Sequence, residues 1–559
     1  MTYSFNLVDE PWIPCLTFDG ERVELGLRDT LAQAHELREV RGDTPLETAS
    51  LYRLLLVMLH RVVDGPRKRS AWIKLWRKRQ EGFDPAKVDG YLQRWYHRFN
   101  LFDPEYPFFQ VADESQLGKR ATVNKMIPQL TPDATLFEHT LNDEKQGASL
   151  TTAEAARALI VNQNYGLGYQ LFVDAPCAKG TVFIIQGITL IETLLLNLVR
   201  YPAESGEYIS TSDDAPAWER NSAFEVVVEG VQFSRDAVEQ IRNGKRRLSY
   251  ERHVPRGQLD YMTWHNRKIK LFPEGLGDSI VVRSIAWAPG MRLDDQVTDP
   301  MQHYTRGKDG WQVYSLKPER SLWRDLDSLL RFFQPGSKAL GVSSIAWVAT
   351  LTRKDPQLVA KMYLLSAFGM VKDKAKLLYL RRETTPLPID VLRDKTLLGQ
   401  LARALQIADR SSVAIRRAAF VLAWLILSPD IEVKAVSRDQ IDAKIARGRN
   451  TRGKDEEAKR IYKFYQSWGV ERYYWSDLEV HFHRLIQDLA DAPEQSLQIW
   501  QNQVRRAATS AFNQVESYAG GDQRAMRATA VARQWFYIEL AAVLGKANNK
   551  SHTKGGDES

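Results

Sequence analysis

The sequence predicts an α+β protein: a large irregular mixed domain over residues 1–390, then a four-helix bundle over residues 391–546. Three observations carry this expectation. At 559 residues the chain exceeds what one compact core encloses, so at least two domains are required. Its first 390 residues mix short β-branched runs with helix-spaced apolar positions. After Pro386-Leu387-Pro388 the strand signals vanish and long amphipathic stretches take over.

In the first part, Val182–Ile191 and Glu225–Val231 read as strands because their β-branched side chains fit a pleated surface. Leu51–Val63 and Ile191–Arg200 carry apolar residues at helical spacing. Loops rich in Pro, Gly and Asp break the pattern at Pro104–Pro107, Thr131–Ala134, Ser205–Ala217 and Pro289–Pro300. In the second part Leu398, Leu401 and Leu405, then Val413, Ala418, Phe420 and Val421, begin one helix. Others follow at Leu478–Leu489, Leu497–Tyr518 and Ala525–Leu544, with Gly520-Gly521 separating the last two. Short links make successive helices antiparallel, which favours a bundle. The charged stretch Ala446–Lys463 is expected to be a mobile loop entering a helix. The tail 547–559, rich in Gly, Ser, Lys and Asp, is expected to be disordered.

The net charge of +8 favours a polyanionic partner, although spread over this length it is a modest excess. Fifteen Trp supply core volume, or stacking surfaces for bases. Cys15 and Cys177 stand in no CxxC pattern, which excludes a zinc ribbon or a disulfide framework and fits free thiols in a reducing cytoplasm. The opening MTYSFNLVDEPWIPC lacks a basic end and apolar run, and no stretch of ~18 uncharged apolar residues exists. No membrane segment, metal or cofactor is therefore expected, and a cytoplasmic location is.

Basic clusters are the first candidates for binding. Pro66–Arg79 reads PRKRSAWIKLWRKR, with Arg67, Lys68, Arg69, Lys74, Arg77, Lys78 and Arg79 around Trp72 and Trp76, which share one helix face. Two readings stand: phosphate contact, or a solvated basic face whose Trp side chains anchor in the core. In the bundle Arg416, Arg417, Arg505, Arg506, Arg524 and Arg527 are further candidates, the last two sharing a face at i,i+3, and Glu–Arg pairing could absorb half of them.

No catalytic constellation emerges. GxxxxGK[ST], HExxH and GxSxG are all absent, and Gly166-Leu167-Gly168 is not a dinucleotide fingerprint. Asp294, Asp295 and Asp299 would be the carboxylates of a metal-dependent nuclease, the less favoured alternative, and Glu479 with His483 makes only a helix-surface pair. A generic RNA-binding or assembly scaffold is the other alternative.

The residues also resemble a family. Phe5–Pro14 (FNLVDEPWIP) is similar to the N-terminal signature of the CasA family, the large subunit of type I-E Cascade CRISPR complexes. Further resemblances follow in order at Phe99–Pro104, Pro107-Phe108, Leu136–His139, Tyr261–Trp264 and Asp299–Met301. The resemblance implies a non-enzymatic subunit with a mixed N-terminal domain and a C-terminal four-helix bundle. It implies crRNA, backbone and small Cascade subunits, PAM-bearing double-stranded DNA, and a helicase-nuclease recruited after R-loop formation as partners. It places a crRNA-handle loop at Phe137, Glu138 and His139, and a minor-groove loop at Asn164, Gly166, Leu167 and Gly168, where glycine would admit close backbone approach to DNA. It also places a duplex-opening wedge at Lys372, Asp373, Lys374, Ala375 and Lys376. Lys374 stands there where relatives often present Gln, and its alkyl stem could lie against a base. Arg292, with Lys268 and Lys270 as competitors, is the candidate for a basic side chain inserted in the groove. Minor-groove readout distinguishes little beyond A·T from G·C, so tolerant PAM reading is expected.

Overall fold

The computed structural model describes residues 3–130, 148–167, 174–201, 211–220, 238–242, 245–249, 252–275, 280–294, 297–308, 310–331, 338–373, 376–428, 437–450 and 452–545. The chain forms two compact units, one of residues 1–322 with 329–389, the other of 323–328 with 390–559. The expected strand Glu225–Val231 and the tail 547–559 lie outside the described residues.

The first unit is mixed. Strands β1 (Ile13–Leu16), β2 (Arg22–Leu25) and β3 (Glu39–Val40) form an antiparallel sheet in the order β2-β1-β3. Helix α1 (Pro45–Val62) starts at Thr44, whose hydroxyl accepts the Glu47 amide at 3.1 Å, with Pro45 fixing the first turn. Most of its residues are buried, polar Arg53 and His60 included, so it runs through the core. Helix α2 (Arg69–Arg77) follows, and α3 (Thr152–Tyr165) opens on a capping box between Thr151 and Glu154.

The expected strand Val182–Ile191 is shorter than its β-branched run. β4 spans Val182–Gln186, after which Thr189 caps α4 (Leu190–Asn197) by accepting the Glu192 amide. The apolar residues beyond Gly187 therefore serve a helix, because a cap outweighs strand propensity there. Strands β5 (Arg267–Glu274) and β6 (Val281–Pro289) pair antiparallel from Arg267 opposite Pro289, with an irregularity at Phe272/Pro273. The longest strands are β7 (Met362–Asp373) and β8 (Lys376–Pro388), with β7 also pairing β4 to give the order β8-β7-β4.

The family-like segments meet in this unit. Leu7 donates its amide to the Phe99 carbonyl at 2.9 Å, and the Trp12 indole donates to the Leu7 carbonyl. The Tyr261 hydroxyl donates to Asp299, so YMTW and DPM form one buried contact.

The second unit is helical: α5 (Lys395–Leu427), α6 (Arg438–Arg449), α7 (Glu456–Ser467), α8 (Val470–Asp488), α9 (Pro493–Ser517) and α10 (Gln523–Leu544). The long helix α5 packs on α8, α9 and α10, and α8 packs on α9. Two departures from expectation stand out. Ala446–Lys463 is largely helical, not a mobile loop: Ser437 and Gln440 make a capping box for α6, Lys444 pairs with Glu457 at 2.6 Å, and Ile441, Ile445, Ala458 and Ile461 are buried. Their spacing at i,i+3 and i,i+4 supplies an apolar stripe that the surrounding charge conceals. The segment Trp323–Ser328 also belongs to this unit, with Trp323 buried against Phe482 (4.6 Å between ring centroids), Trp475 and Trp500.

Candidate nucleic-acid interface

Helix α3 delivers the 164–168 segment, and a buried ionic network fixes its start. Arg53, one of few polar residues on α1, is 1% exposed. Its Nε donates to Asn164 Oδ1 at 2.9 Å, and its Nη1 donates to both Asp299 oxygens at 3.0 and 2.8 Å. Asp299 also accepts from Tyr261 at 3.0 Å and from the Met301 amide at 2.8 Å, with the Cys177 thiol 3.5 Å away. Burial pulls the Arg53 guanidinium down, but Asp299, Cys177, Tyr261 and Tyr165 together outweigh it and hold the group above its ordinary value; burial pushes the Cys177 thiol well up.

This geometry corrects two expectations. Asn164 is in the core, donating its amide to the Ile160 carbonyl and accepting from Arg53, so it positions the segment instead of touching a ligand. Asp299 is committed to Arg53 and Tyr261, which removes it from the nuclease reading; Asp295 lies outside the described residues, and no cluster of three metal-ligating side chains occurs among the described ones.

Gly166 is also buried, and its lack of a Cβ serves packing. A Cβ there would lie 2.5 Å from both Arg267 Nη1 and the Asn162 carbonyl. Arg267, on β5, uses Nη2 to donate to the Leu167 carbonyl at 2.7 Å, and burial draws its guanidinium down to about 10, against the opposing pull of Asp174. Gly168 lies outside the described residues.

The loop after this segment brings the second candidate region to it. Ala175 donates its amide to the Gly166 carbonyl and Cys177 to the Asn164 carbonyl. From the other side Lys372 Nζ donates to the Ala178 carbonyl at 2.6 Å. Burial lowers the Lys372 ammonium to about 8, with Asp174 raising it and Lys179 lowering it further. Lys179 pairs with Asp174 at 3.1 Å. Asn164–Leu167 and Lys372 therefore share one wall, with Arg267, Lys179 and Asp174 around it. Lys374 and Ala375 lie outside the described residues, but Asp373 is the cross-strand neighbour of Lys376, so these two residues alone join β7 to β8. Arg381 and Arg382, further along β8, pair with Glu383 and Glu39.

The other candidates separate by partner. Phe137, Glu138 and His139 lie outside the described residues. Arg292 is half-buried on a two-residue strand paired with Arg252-His253. Lys268 donates to Gln116 and Lys270 pairs with Glu114. On α2 the indoles of Trp72 and Trp76 stack at 5.1 Å and donate to the carbonyls of Leu195 and Leu358, so they are core anchors, not base platforms. Arg67, Lys78 and Arg79 pair with Asp64, Glu81 and Glu192, and Arg69 donates to the Leu351 carbonyl. In the helical unit Arg416 pairs with Glu471, and Arg417 with Asp442 and Glu539, while Arg505 and Arg524 donate to the carbonyls of Gly545 and Ile426. Lys68, Lys74, Arg77, Arg506 and Arg527 remain exposed and without an ion pair among the described residues.

Sequence reasoning missed Arg53, Arg267 and Lys179. A lone Arg within the apolar run LYRLLLVML was the available signal, since a guanidinium there requires a buried partner.

A mixed unit followed by a helical one is the fold of solved structures of CRISPR-associated CasA/Cse1 proteins. A family model described as CRISPR-associated protein Cse1 matches residues 6–511. The CasA/Cse1 protein of Thermus thermophilus is 33% identical over 562 residues, covering 98% of this chain and 99% of that one. A crystal structure of Thermus thermophilus CasA superimposes with a TM-score of 0.74 at 30% identity, covering 97% of this chain and all of the other. A chain of a structure described as a CRISPR RNA-guided surveillance complex shares the fold, with a TM-score of 0.68 at 22% identity over 96% of this chain and 99% of its own. The chain belongs to the CRISPR-associated protein Cse1 (CasA) family.

Proposed function

We propose that this chain is the non-catalytic large subunit of a type I-E Cascade surveillance complex, acting in antiviral defence in the cytoplasm. In this reading it binds the crRNA handle and the backbone and small subunits, reads the PAM in double-stranded DNA, promotes duplex opening and recruits a helicase-nuclease. The supporting observation is the convergence of Asn164–Leu167 and Lys372 on the loop 174–178. The backbone carbonyls of this wall are spent within the protein, so what it offers a minor groove is the ammonium groups of Lys372 and Lys179. The wedge expected at Lys372–Lys376 falls at the end of the long hairpin β7–β8, whose last described pair is Asp373 opposite Lys376, and a hairpin end is the kind of element that can be inserted between base steps.

The test reconstitutes the complex with wild-type chain, Lys374→Ala and Lys179→Ala, and measures duplex binding against a randomised flank at fixed salt. Gly166 is left intact because its replacement would displace Arg267. Assembly should persist while flank-dependent affinity falls about tenfold, equivalent to about 1.4 kcal/mol. Graded preference across several flanks is expected of minor-groove reading. Flank preference that survives both substitutions would reject the assignment and favour a scaffold.

A further inference from the structure

A cavity of about 210 Å3 opens in the first unit between the segment Glu105–Asp113 and the residues Trp218, Arg220 and His265. Its walls are aromatic: Phe109 lies 4.6 Å from His265 and 6.3 Å from Trp218, ring centroid to centroid. Phe109 sits at φ 56°, a left-handed conformation that side chains rarely adopt and that persists where the surroundings over-determine it, often at ligand sites. Burial, with the nearby Arg220 guanidinium, pushes His265 down to about 3, so it presents a neutral flat ring at working pH.

Polar groups of both kinds stand among these rings. Arg220 lines the cavity and is held by Asp260, its Nη1 donating at 2.6 Å, while its Nε and Nη2 are buried with no hydrogen-bond partner. Arg98 lies 3.8 Å over the Tyr106 ring, and Glu105 and Asp113 are among the lining residues, the Asp113 carboxylate also accepting from Ser115 and Gln116. Arg98 and Arg220 stand against Glu105, Asp113 and the Asp260 that holds Arg220, so the site does not draw a ligand in by an excess of positive charge. It selects a flat ring that carries acceptors and donors side by side. The volume falls below the roughly 300–1,000 Å3 of sites for drug-sized ligands, which suits one ring system.

We propose that this cavity holds a single unstacked guanine-type base from a single-stranded stretch of nucleic acid. Guanine presents O6 and N7 acceptors to guanidinium donors and an amino donor to carboxylates, and its faces stack on aromatic rings. The proposal goes beyond PAM reading and rests on the function above only in expecting nucleic acid close to this chain.

The test uses the full-length chain with short single-stranded RNA and DNA carrying one 6-thioguanine, irradiated and mapped by peptide mass spectrometry. Ala112→Phe fills the cavity from its half-exposed rim without removing an aromatic wall. Arg220→Gln removes the guanidinium while leaving an amide donor for Asp260. Crosslinks are expected on the peptides around Phe109 or Trp218, competed better by guanosine than by cytidine monophosphate. They should fall at least tenfold in Ala112→Phe, at an unchanged thermal midpoint, and Arg220→Gln should lose the guanine preference. Crosslinking by RNA alone, DNA alone or both supports the site and identifies the strand. Absence in both arms, insensitivity to Ala112→Phe or equal competition by cytidine monophosphate overturns it. Flank-dependent duplex binding should be unaffected by Ala112→Phe, so failure here and failure of PAM reading are separable.

Discussion

Arg53 and Asp299 stand 246 residues apart in sequence and meet in the core at 2.8 Å. Asp299→Asn would leave the guanidinium buried without its counter-charge, at a cost of about 3–5 kcal/mol. Replacing both partners by apolar residues removes the uncompensated charge but leaves Asn164 Oδ1, the Tyr261 hydroxyl and the Met301 amide without their partners, so the double variant should still be destabilised, though by less than the loss of Asp299 alone. A guanidinium chloride midpoint unchanged by Asp299→Asn would refute the network's role. Lys372 carries a different prediction. Its ammonium, lowered to about 8 by burial, is charged below that pH and neutral above it. A contribution to anion binding is therefore present at pH 7 and lost as the pH rises through 8 towards 9. Duplex affinity of the complex should fall over that interval, and Lys372→Arg should flatten the profile because a guanidinium stays charged. An unchanged profile in Lys372→Arg would assign the pH dependence elsewhere.

Helix α2 shows why a basic stretch has to be divided by face. Trp72 and Trp76 point inward and donate to carbonyls, while Lys74 and Arg77 face solvent. Trp72→Ala should cost about 3–5 kcal/mol through the cavity it leaves. Lys74→Ala with Arg77→Ala should leave the thermal midpoint unchanged and make the slope of log K against log salt shallower by about 2, if both meet phosphate. An identical slope would mean that this face is solvated. The hairpin β7–β8 is the element least legible in the sequence. Its β7 half reads as a continuous apolar run and its β8 half carries Pro386 and Pro388, which mimic a boundary. The wedge resemblance fell on its tip, but its length depends on pairing between strands and with β4, which no local pattern reports.

At the scale of the molecule, the helical unit completes its core with residues from well upstream. Trp323 fills space against Phe482 and Trp500, so Trp323→Ala in the full chain should lower the unfolding midpoint of that unit by the equivalent of about 3–5 kcal/mol. A midpoint unchanged by this substitution would show the segment to be peripheral. The change from mixed to helical texture near Pro388, the basic balance, and the ordered set of motifs that placed the chain in its family are all legible in the residues alone. Those properties are local or additive, so they can be read along the chain. It took the folded chain to show that Asn164, Gly166 and Asp299 are core residues, which cations keep a free charge, and that Trp323 serves the second unit. Burial and charge pairing depend on partners distant in sequence, and a residue's type does not disclose which partner folding brings to it.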